Sequence, residues 1–150
     1  MRALRAGEGP LCEAVLRDVP EWFGIEESLL NYVRAAGELP TWVAEADGET
    51  AGFITVRRHW ARSAEIHCMA VKRRFHRRGV GRAMVGFVER WCAGEGVEFL
   101  QVKTMGPSRP CGFYAQTTAF YEAVGFVRLE EFKGLWGKLP ALQLVKRVRG

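Results

Sequence analysis

The block from Ser63 to Met105 constrains the fold more than any other part of the chain, because its hydrophobic pattern changes period twice. Apolar and polar residues alternate over 63–71, which is typical of a strand with one buried face. Over 79–93 the apolar residues recur every three or four positions, which predicts an amphipathic helix. A strand pattern returns over 97–105. Strand, helix and strand in this order predict a βαβ unit.

The remaining elements extend this unit on both sides. Apolar residues at helical spacing predict helices at 8–18, 26–36 and 114–124, and Asp47-Gly48 predicts a tight hairpin between two strands. The strands predicted outside the unit are 2–5, 41–45, 50–58, 126–131 and 142–148. The resulting order, β-αα-βββ-α-β-α-ββ, predicts a mixed α+β domain with about seven strands and about four helices.

Composition narrows the class of protein. The chain has 150 residues, of which 48% are apolar, so it can form one core but not a second of comparable size. We therefore expect one domain over 1–150. No apolar run approaches the roughly 20 residues that span a bilayer, and the N-terminus lacks the apolar stretch of a secretory signal. Four scattered cysteines show no metal-binding spacing, so we expect a reduced, cytoplasmic protein without metal or membrane contact.

Charge is distributed unevenly along the chain. Residues 1–71 carry a net charge of −4 and residues 72–150 carry +9, which gives +5 for the whole chain. The basic half favours a polyanionic partner, while the acidic half indicates either a cationic partner or an uneven surface.

The segment between the first strand and the helix of the βαβ unit reads KRRFHRRGVGR over 72–82. Two glycines spaced by one residue at a helix start let backbone N–H groups approach a phosphate. A Walker P-loop needs Gly-Lys-Ser/Thr, which is absent. A dinucleotide fingerprint needs a third small residue where Met84 stands and a first glycine directly after the strand, so it is excluded too. A solvated basic face is the remaining alternative.

In this setting the segment resembles the coenzyme signature of the GNAT superfamily of N-acetyltransferases, Gln/Arg-x-x-Gly-x-Gly/Ala. His76 stands at the Gln/Arg position, and Gly79 and Gly81 match the two glycines. The resemblance implies a central, mostly antiparallel sheet flanked by helices, and a turn whose main-chain amides hold the pyrophosphate of acetyl-CoA. The residues that it implies for this turn are His76, Arg77, Arg78, Gly79, Val80, Gly81 and Arg82.

A second stretch resembles another GNAT signature, a helix that ends in aromatic-Tyr-x-x-x-Gly-Phe. Here it reads FYEAVGF over 120–126. The resemblance implies that Tyr121 lies near the coenzyme sulfur and protonates the departing thiolate, which a phenol can do as charge develops on sulfur. A buried core aromatic is the alternative. The family often has an asparagine seven residues earlier, where this chain has Tyr114, which would stack near the pantetheine arm or pack the helix.

The strand over 63–71 offers candidates for the base. Glu65 and His67 share one face of it. An amine must lose a proton before it attacks a thioester, and a glutamate in an apolar cleft has its pKa raised by desolvation. We therefore predict Glu65 as the general base and His67 as its substitute, although a histidine hydrogen-bonded to a neighbouring strand is also open. The register of Glu65 with the glycine motif resembles that of the catalytic glutamate in GNAT histone acetyltransferases.

The same resemblance assigns roles to the end of this strand. It implies that the main-chain N–H of Met69 polarises the thioester carbonyl. It also implies that Met69, Ala70 and Val71 run along the pantetheine arm as an added strand would.

The acceptor side is predicted from the loop between the first two helices. In the family this region shapes the acceptor pocket, and here it contains Trp22, Phe23 and Glu26, to which His67 is added as a substrate contact. Aromatic and acidic residues suit a cationic amine. Packing of the loop and stabilisation of the helix start are the alternative.

Together these features predict direct transfer of an acetyl group from acetyl-CoA to a primary amine, small molecule or protein, in a ternary complex. A non-catalytic acyl-CoA sensor or partner-binding domain is one alternative, and a basic nucleic-acid-binding module another, although no nucleic-acid motif accompanies the basic run. The last strand could pair within one chain or between two, which leaves a homodimer open.

Overall fold

The computed structural model describes residues 1–148 and confirms the mixed α/β class, with the helices and strands in the predicted order. The elements are β1 (Arg2–Ala3), α1 (Gly9–Arg17), α2 (Glu26–Glu38), β2 (Thr41–Ala46), β3 (Glu49–Trp60), β4 (Ser63–Val71), a 3₁₀ turn (Arg73–Phe75), α3 (Val80–Gly94), β5 (Phe99–Met105), α4 (Gly112–Ala123), β6 (Val127–Trp136) and β7 (Leu139–Arg147). The last two residues of the predicted domain, 149–150, lie outside the described residues.

The strands form one seven-stranded sheet in the order β1-β2-β3-β4-β5-β7-β6. The pairings β1–β2, β2–β3, β5–β7 and β6–β7 are antiparallel. Contacts divide the chain into two units, one made of Met1–Arg57 with Ile66–Val88 and the other of Arg58–Glu65 with the chain from Glu89 onward.

The first unit has its core between its helices and strands. Buried side chains of α1, α2, β2, β3 and β4 meet there, and the segment after α1 adds one more: Cys12, Val15, Leu16, Val19, Leu29, Ala36, Val43, Phe53, Cys68 and Ala70. The predicted hairpin between β2 and β3 is confirmed, since Asp47 and Gly48 both have positive φ, 52° and 78°. Positive φ at both central residues is typical of a type I′ turn, whose twist matches that of the two flanking strands.

Close contact between β3 and β4 in this unit depends on a glycine. A Cβ atom at Gly52 would lie only 2.7 Å from the carbonyl oxygen of Ala70, which is closer than a side chain can approach. The backbone N–H of Lys72 donates to the carbonyl of Ala51 at 2.8 Å and continues this contact beyond β4. β3 therefore fixes the position of the segment that leads into the basic run.

In the second unit, β5, β7 and β6 form an antiparallel meander. β6 runs five residues beyond its predicted end at 131, and Trp136 pairs with Leu139 across a turn at Gly137. Most β6 side chains are exposed on both faces, so no hydrophobic alternation marks the far end of this strand. Over residues 1–148, no helix is both long and apolar enough to cross a bilayer.

Candidate functional site

The two faces of β4 differ as the alternation predicts. Its even-numbered residues from Ala64 to Ala70 are buried, while Glu65, His67, Met69 and Val71 are half-buried. The residues singled out for chemistry therefore share the more accessible face. Cys68 lies among the buried residues, on the face opposite Glu65.

The basic turn has a defined backbone shape. The buried ring of Phe75 anchors the 3₁₀ turn, and the guanidinium groups of Arg74 and Arg78 lie 4.6 and 5.1 Å from its centre. Arg77 and Gly79 then take positive φ, 60° and 81°. A non-glycine residue in this conformation costs on the order of 1 kcal/mol or more, so the surrounding structure must impose it. This turn leads directly into α3, whose first N–H groups have no partner within the helix.

His76, which stands at the Gln/Arg position of the signature, supports the turn. Its Nε2 donates to the carbonyl oxygen of Val71 at 2.7 Å, and its ring makes an edge contact with Trp22 at 5.9 Å. Because a carbonyl oxygen can only accept, Nε2 must carry the ring proton. The imidazole thus links the end of β4 to the start of the turn.

Most cations of the basic run are paired with acids of the first unit. Arg73 bonds to Glu21, Arg74 to Glu49 at 2.9 Å, and Lys72 to Glu49 at 3.4 Å. The backbone N–H of Arg73 donates to Asp18 at 2.7 Å.

Farther along the run, not every cation has an acidic partner. Arg78 lies 3.3 Å from Asp47. Arg77 and Arg82, which flank the start of α3, form no ion pair with any described residue. The uneven charge along the sequence is thus largely balanced in space. The pairing of the other cations weakens the nucleic-acid alternative. The unpaired positive charge of the run lies at the helix start.

The predicted acceptor residues contribute to packing. Trp22 and Phe23 are half-buried against the core of the first unit, and Phe23 makes an edge contact with Tyr32 at 5.8 Å. Tyr32 in turn contacts His67 at 5.6 Å. The structure therefore brings Phe23 and His67 to one aromatic row through Tyr32.

Glu26 takes no part in this row. It lies in the first turn of α2 and forms a double hydrogen bond with Arg17, at 2.6 and 3.0 Å. The Arg17 guanidinium lowers the pKa of Glu26. This arrangement agrees with the alternative role, stabilisation of the helix start.

In the second unit, Glu65 lies in a polar cluster. Its Oε1 is 2.7 Å from Nε2 of His59, and its Oε2 accepts a hydrogen bond from Nζ of Lys103 at 2.9 Å. Only 12% of the Glu65 side chain is exposed. Both carboxylate oxygens therefore have partners on neighbouring strands.

The prediction that Glu65 has a raised pKa is wrong. Burial alone raises the pKa of Glu65, as expected, but the hydrogen bonds from Lys103 and His59 outweigh it and leave that pKa below its ordinary value. A nearby cation stabilises the ionised carboxylate more than the loss of water destabilises it. Glu65 is therefore a weaker proton acceptor than an isolated buried glutamate.

Tyr121 lies in α4 with 6% of its surface exposed, between the rings of Phe120 and Phe126 at 5.4 and 5.5 Å. Gly125 ends the helix with φ of 102°, and the N–H of Phe126 donates to the carbonyl of Tyr121 at 3.0 Å. The glycine and phenylalanine of the signature thus fix the end of the helix that carries the tyrosine. Tyr114, at the start of the same helix, is half-buried, and burial raises its pKa.

The three buried cysteines, Cys12, Cys68 and Cys92, are unsuited to nucleophilic chemistry. Burial raises the pKa of Cys12 to about 12 and of Cys92 to about 11, and it also raises that of Cys68. A thiol must ionise to act as a nucleophile or metal ligand. Within residues 1–148 no group of histidine, cysteine and acidic side chains is arranged to hold a metal ion.

Comparison with known proteins agrees with this arrangement of elements. The sequence profile of the acetyltransferase (GNAT) family matches residues 11–126, so the chain belongs to the GNAT family. No curated protein sequence matches the chain.

Solved structures share its fold at low identity. A GNAT-family protein from Desulfovibrio desulfuricans superposes with a TM-score of 0.87 at 19% identity, over 99% of this chain and 98% of that one. The ribosomal-protein-S18-alanine N-acetyltransferase from Escherichia coli gives 0.77 at 18%, over 99% and 92%. A GNAT acetyltransferase from Elizabethkingia anophelis with acetyl-CoA bound gives 0.76 at 16%, over 97% and 95%.

Sequence reasoning misses two residues of the Glu65 cluster. The sequence pattern places His59 in a turn because it predicts that β3 ends at 58, whereas the strand continues to Trp60. Lys103 has no role in the sequence-based site, where it is an ordinary residue of β5. A lysine in the middle of a predicted strand is the available signal, because burying its charge requires a partner.

Proposed function

We propose that the protein is an acetyl-CoA-dependent N-acetyltransferase, which moves the acetyl group to a primary amine by direct transfer in a ternary complex. The observation that carries this proposal is the turn before α3. Arg77, strained at positive φ, and Gly79 lead into the helix start, where Arg77 and Arg82 have no acidic partner among the described residues. N–H groups and positive charge at a helix start are the usual complement of a pyrophosphate.

The remaining coenzyme contacts follow from the family resemblance. His76, Arg78, Val80 and Gly81 complete the pyrophosphate turn. The main chain of Met69, Ala70 and Val71 is proposed to lie along the pantetheine arm, with the N–H of Met69 on the thioester carbonyl. The half-buried state of Met69 and Val71 supports this, whereas the side chain of Ala70 is buried on the other face of β4. Tyr114 is proposed as a further contact with the arm.

Tyr121 is proposed to protonate the departing thiolate. Its place at the end of α4, held by Gly125 and Phe126, agrees with the family signature. A phenol at this place can donate its proton as charge develops on sulfur.

Direct transfer is favoured over an acetyl-enzyme intermediate because burial raises the pKa of the thiols of Cys12, Cys68 and Cys92. Cys68, the cysteine of β4, is buried on the face away from Glu65. Removal of the amine proton is assigned to the polar cluster around Glu65. Trp22, Phe23, Glu26 and His67 are proposed for the acceptor side, where the aromatic row through Phe23 and His67 suits an amine with an apolar body.

Calorimetric titration with acetyl-CoA tests the coenzyme assignment. Gly81→Glu places a negative charge in the first turn of α3, where it repels the pyrophosphate, so binding should be lost. The matched control is Gly94→Glu in the last turn of the same helix, where an added side chain meets no atom within 4 Å. Binding that is equal in the two variants would contradict the pyrophosphate site.

Release of free CoA tests the reaction. Wild-type protein is incubated with acetyl-CoA and a polyamine, an aminoglycoside, an amino acid, or a peptide with a free N-terminus or a lysine. Turnover with at least one amine supports the proposal. Tight acetyl-CoA binding without turnover on any amine would favour the non-catalytic sensor.

A further inference from the structure

A row of hydrogen-bonded polar side chains crosses the sheet within the second unit. It runs from His59 of β3 to Glu65 of β4, then to Lys103 of β5. Lys103 also lies 3.4 Å from the side-chain oxygen of Gln101, which accepts a hydrogen bond from Gln143 of β7 at 2.7 Å. Over the described residues no buried side-chain nitrogen or oxygen lacks a hydrogen bond, so the buried part of the row is satisfied.

The chemistry of the donors fixes the tautomer of His59. Lys103 can only donate, so it holds Oε2 of Glu65 as an acceptor. The pKa of Glu65 is lowered, so the carboxylate is ionised near neutral pH and its Oε1 must also accept. The partner of Oε1, the Nε2 atom of His59, therefore carries a proton. In a neutral imidazole the other nitrogen, Nδ1, then has the free lone pair.

The same geometry makes the imidazole the accessible end of the row. The His59 side chain is 35% exposed, against 12% for Glu65, and its Nδ1 accepts no hydrogen bond from any residue within 1–148. An imidazole whose other nitrogen donates to a carboxylate is held by it in one tautomer and one orientation. Each oxygen of Glu65 already accepts one hydrogen bond, and the carboxylate is less exposed than the imidazole.

We propose that Nδ1 of His59 accepts the proton of the acceptor amine, and that Glu65 is a positioning residue that Lys103 keeps ionised. This inference rests on the proposed N-acetyltransferase function and changes the atom that acts as base. It replaces the assignment of Glu65, and of His67 as its substitute, as the direct proton acceptor.

The proposed step is balanced in atoms and charge. Nδ1 takes one proton from the alkylammonium group, and the amine lone pair then attacks the thioester carbonyl carbon. The C–S bond breaks as the amide forms, and the thiolate takes a proton from the Tyr121 phenol. The phenolate regains a proton from the attacking nitrogen, which loses its second proton as the amide forms. His59 releases its proton to solvent, so one proton is released for each acetyl group transferred.

The tautomer of His59 can be measured without any substrate. Long-range ¹H–¹⁵N spectra of the whole protein distinguish protonated from unprotonated ring nitrogens, and the His59 signals are assigned by their loss in His59→Gln. Wild type should show the Nε2–H tautomer. Glu65→Gln should invert it, because Lys103 attracts the amide oxygen and leaves the amide N–H₂ to donate to Nε2.

Kinetics test the role in proton transfer, with acetyl-CoA and the amine that gives the fastest CoA release. His59→Ala should lower kcat by about 10²–10⁴-fold, the usual contribution of a general base, without a change in acetyl-CoA binding. Added imidazole should restore part of the rate in His59→Ala but not in His67→Ala. Gln143→Leu, at the far end of the row, is the control and should leave the tautomer of His59 unchanged.

The outcomes separate this inference from the function on which it rests. If wild type is active, either of two results overturns the role of His59 and leaves the proposed function standing. One is an undiminished kcat in His59→Ala, and the other is the Nδ1–H tautomer in wild type. Imidazole rescue of His67→Ala instead of His59→Ala does the same in favour of His67. No transfer by wild type to any amine in the panel overturns the proposed function and the inference together.

Discussion

Replacing Lys103 by methionine isolates the interaction that decides the charge state of Glu65. Methionine keeps much of the apolar stem but removes the ammonium that lies 2.9 Å from the carboxylate. Both side chains are mostly buried, with 22% of Lys103 and 12% of Glu65 exposed, so solvent screens the pair only weakly. A hydrogen bond between charged partners contributes about 1.5–3 kcal/mol. In a chain of this size the loss corresponds to a melting temperature lower by roughly 3–12 °C.

The pH dependence gives a sharper test than the size of the loss. The folded-state pKa of Glu65 is lowered, so its contribution to stability is complete above the pKa of the unfolded carboxyl group. It is lost as pH falls through the lower folded-state pKa. Without Lys103 the pKa of Glu65 should rise, because burial is then opposed by His59 alone. The deficit of Lys103→Met should therefore be largest at pH 7 and should shrink as the pH falls through the lowered folded-state pKa of Glu65 in wild type.

Urea unfolding followed by tryptophan fluorescence, at pH 7 and at a series of lower pH values, measures both quantities. The double mutant with Glu65→Gln gives the coupling between the two side chains, which should account for most of the deficit at pH 7. Arg128→Met is the control, because its pair with Glu122 is 50% and 43% exposed and should contribute well under ~1 kcal/mol. A deficit that does not shrink as the pH falls, or a coupling near zero, would refute the argument that Lys103 sets the charge of Glu65.

Two further predictions concern Tyr121 and the thiols. Tyr121→Phe should lower kcat, measured by CoA release, about 100-fold or more. The acetyl-CoA dissociation constant, measured by calorimetry, should stay within a few-fold of the wild-type value. An unchanged kcat would mean that the ring only packs between its aromatic neighbours. In native protein one thiol, that of the half-buried Cys111, should react quickly with a chromogenic disulfide, and all four should react after denaturation. Two or more fast native thiols would contradict the burial of Cys12, Cys68 and Cys92.

The order and type of the elements can be predicted because the signals are local. Periods of two and near 3.6, the Asp47-Gly48 turn and the glycines at helix ends each involve a few neighbouring residues. The predicted ends of β4 are correct, since its alternation of buried and half-buried residues is strict. The predicted β6 is too short because its exposed residues carry no such alternation, and its pairing with β7 sets its length.

The candidate site divides in the same way. The pyrophosphate turn and the Tyr121 signature are short motifs, so the order of residues along the chain is enough to identify them. The sequence alone does not decide whether Trp22 and Phe23 bind the acceptor or only pack the loop. Their exposure depends on which side chains pack against them. The sequence does not show how far the positive charge of the basic run is neutralised, because its acidic partners, such as Glu21 and Glu49, lie in distant parts of the chain.

The sequence by itself determined that this is a GNAT-type chain and which face of β4 carries Glu65, and it predicted the turn proposed to hold the coenzyme. Only the tertiary structure decided how Glu65 is ionised. Its partner Lys103 is 38 residues away in sequence and comes within 2.9 Å through strand pairing. A motif fixes which groups are present, but the pKa of a carboxylate is set by the charges and the water around it. Those surroundings are assembled by the fold.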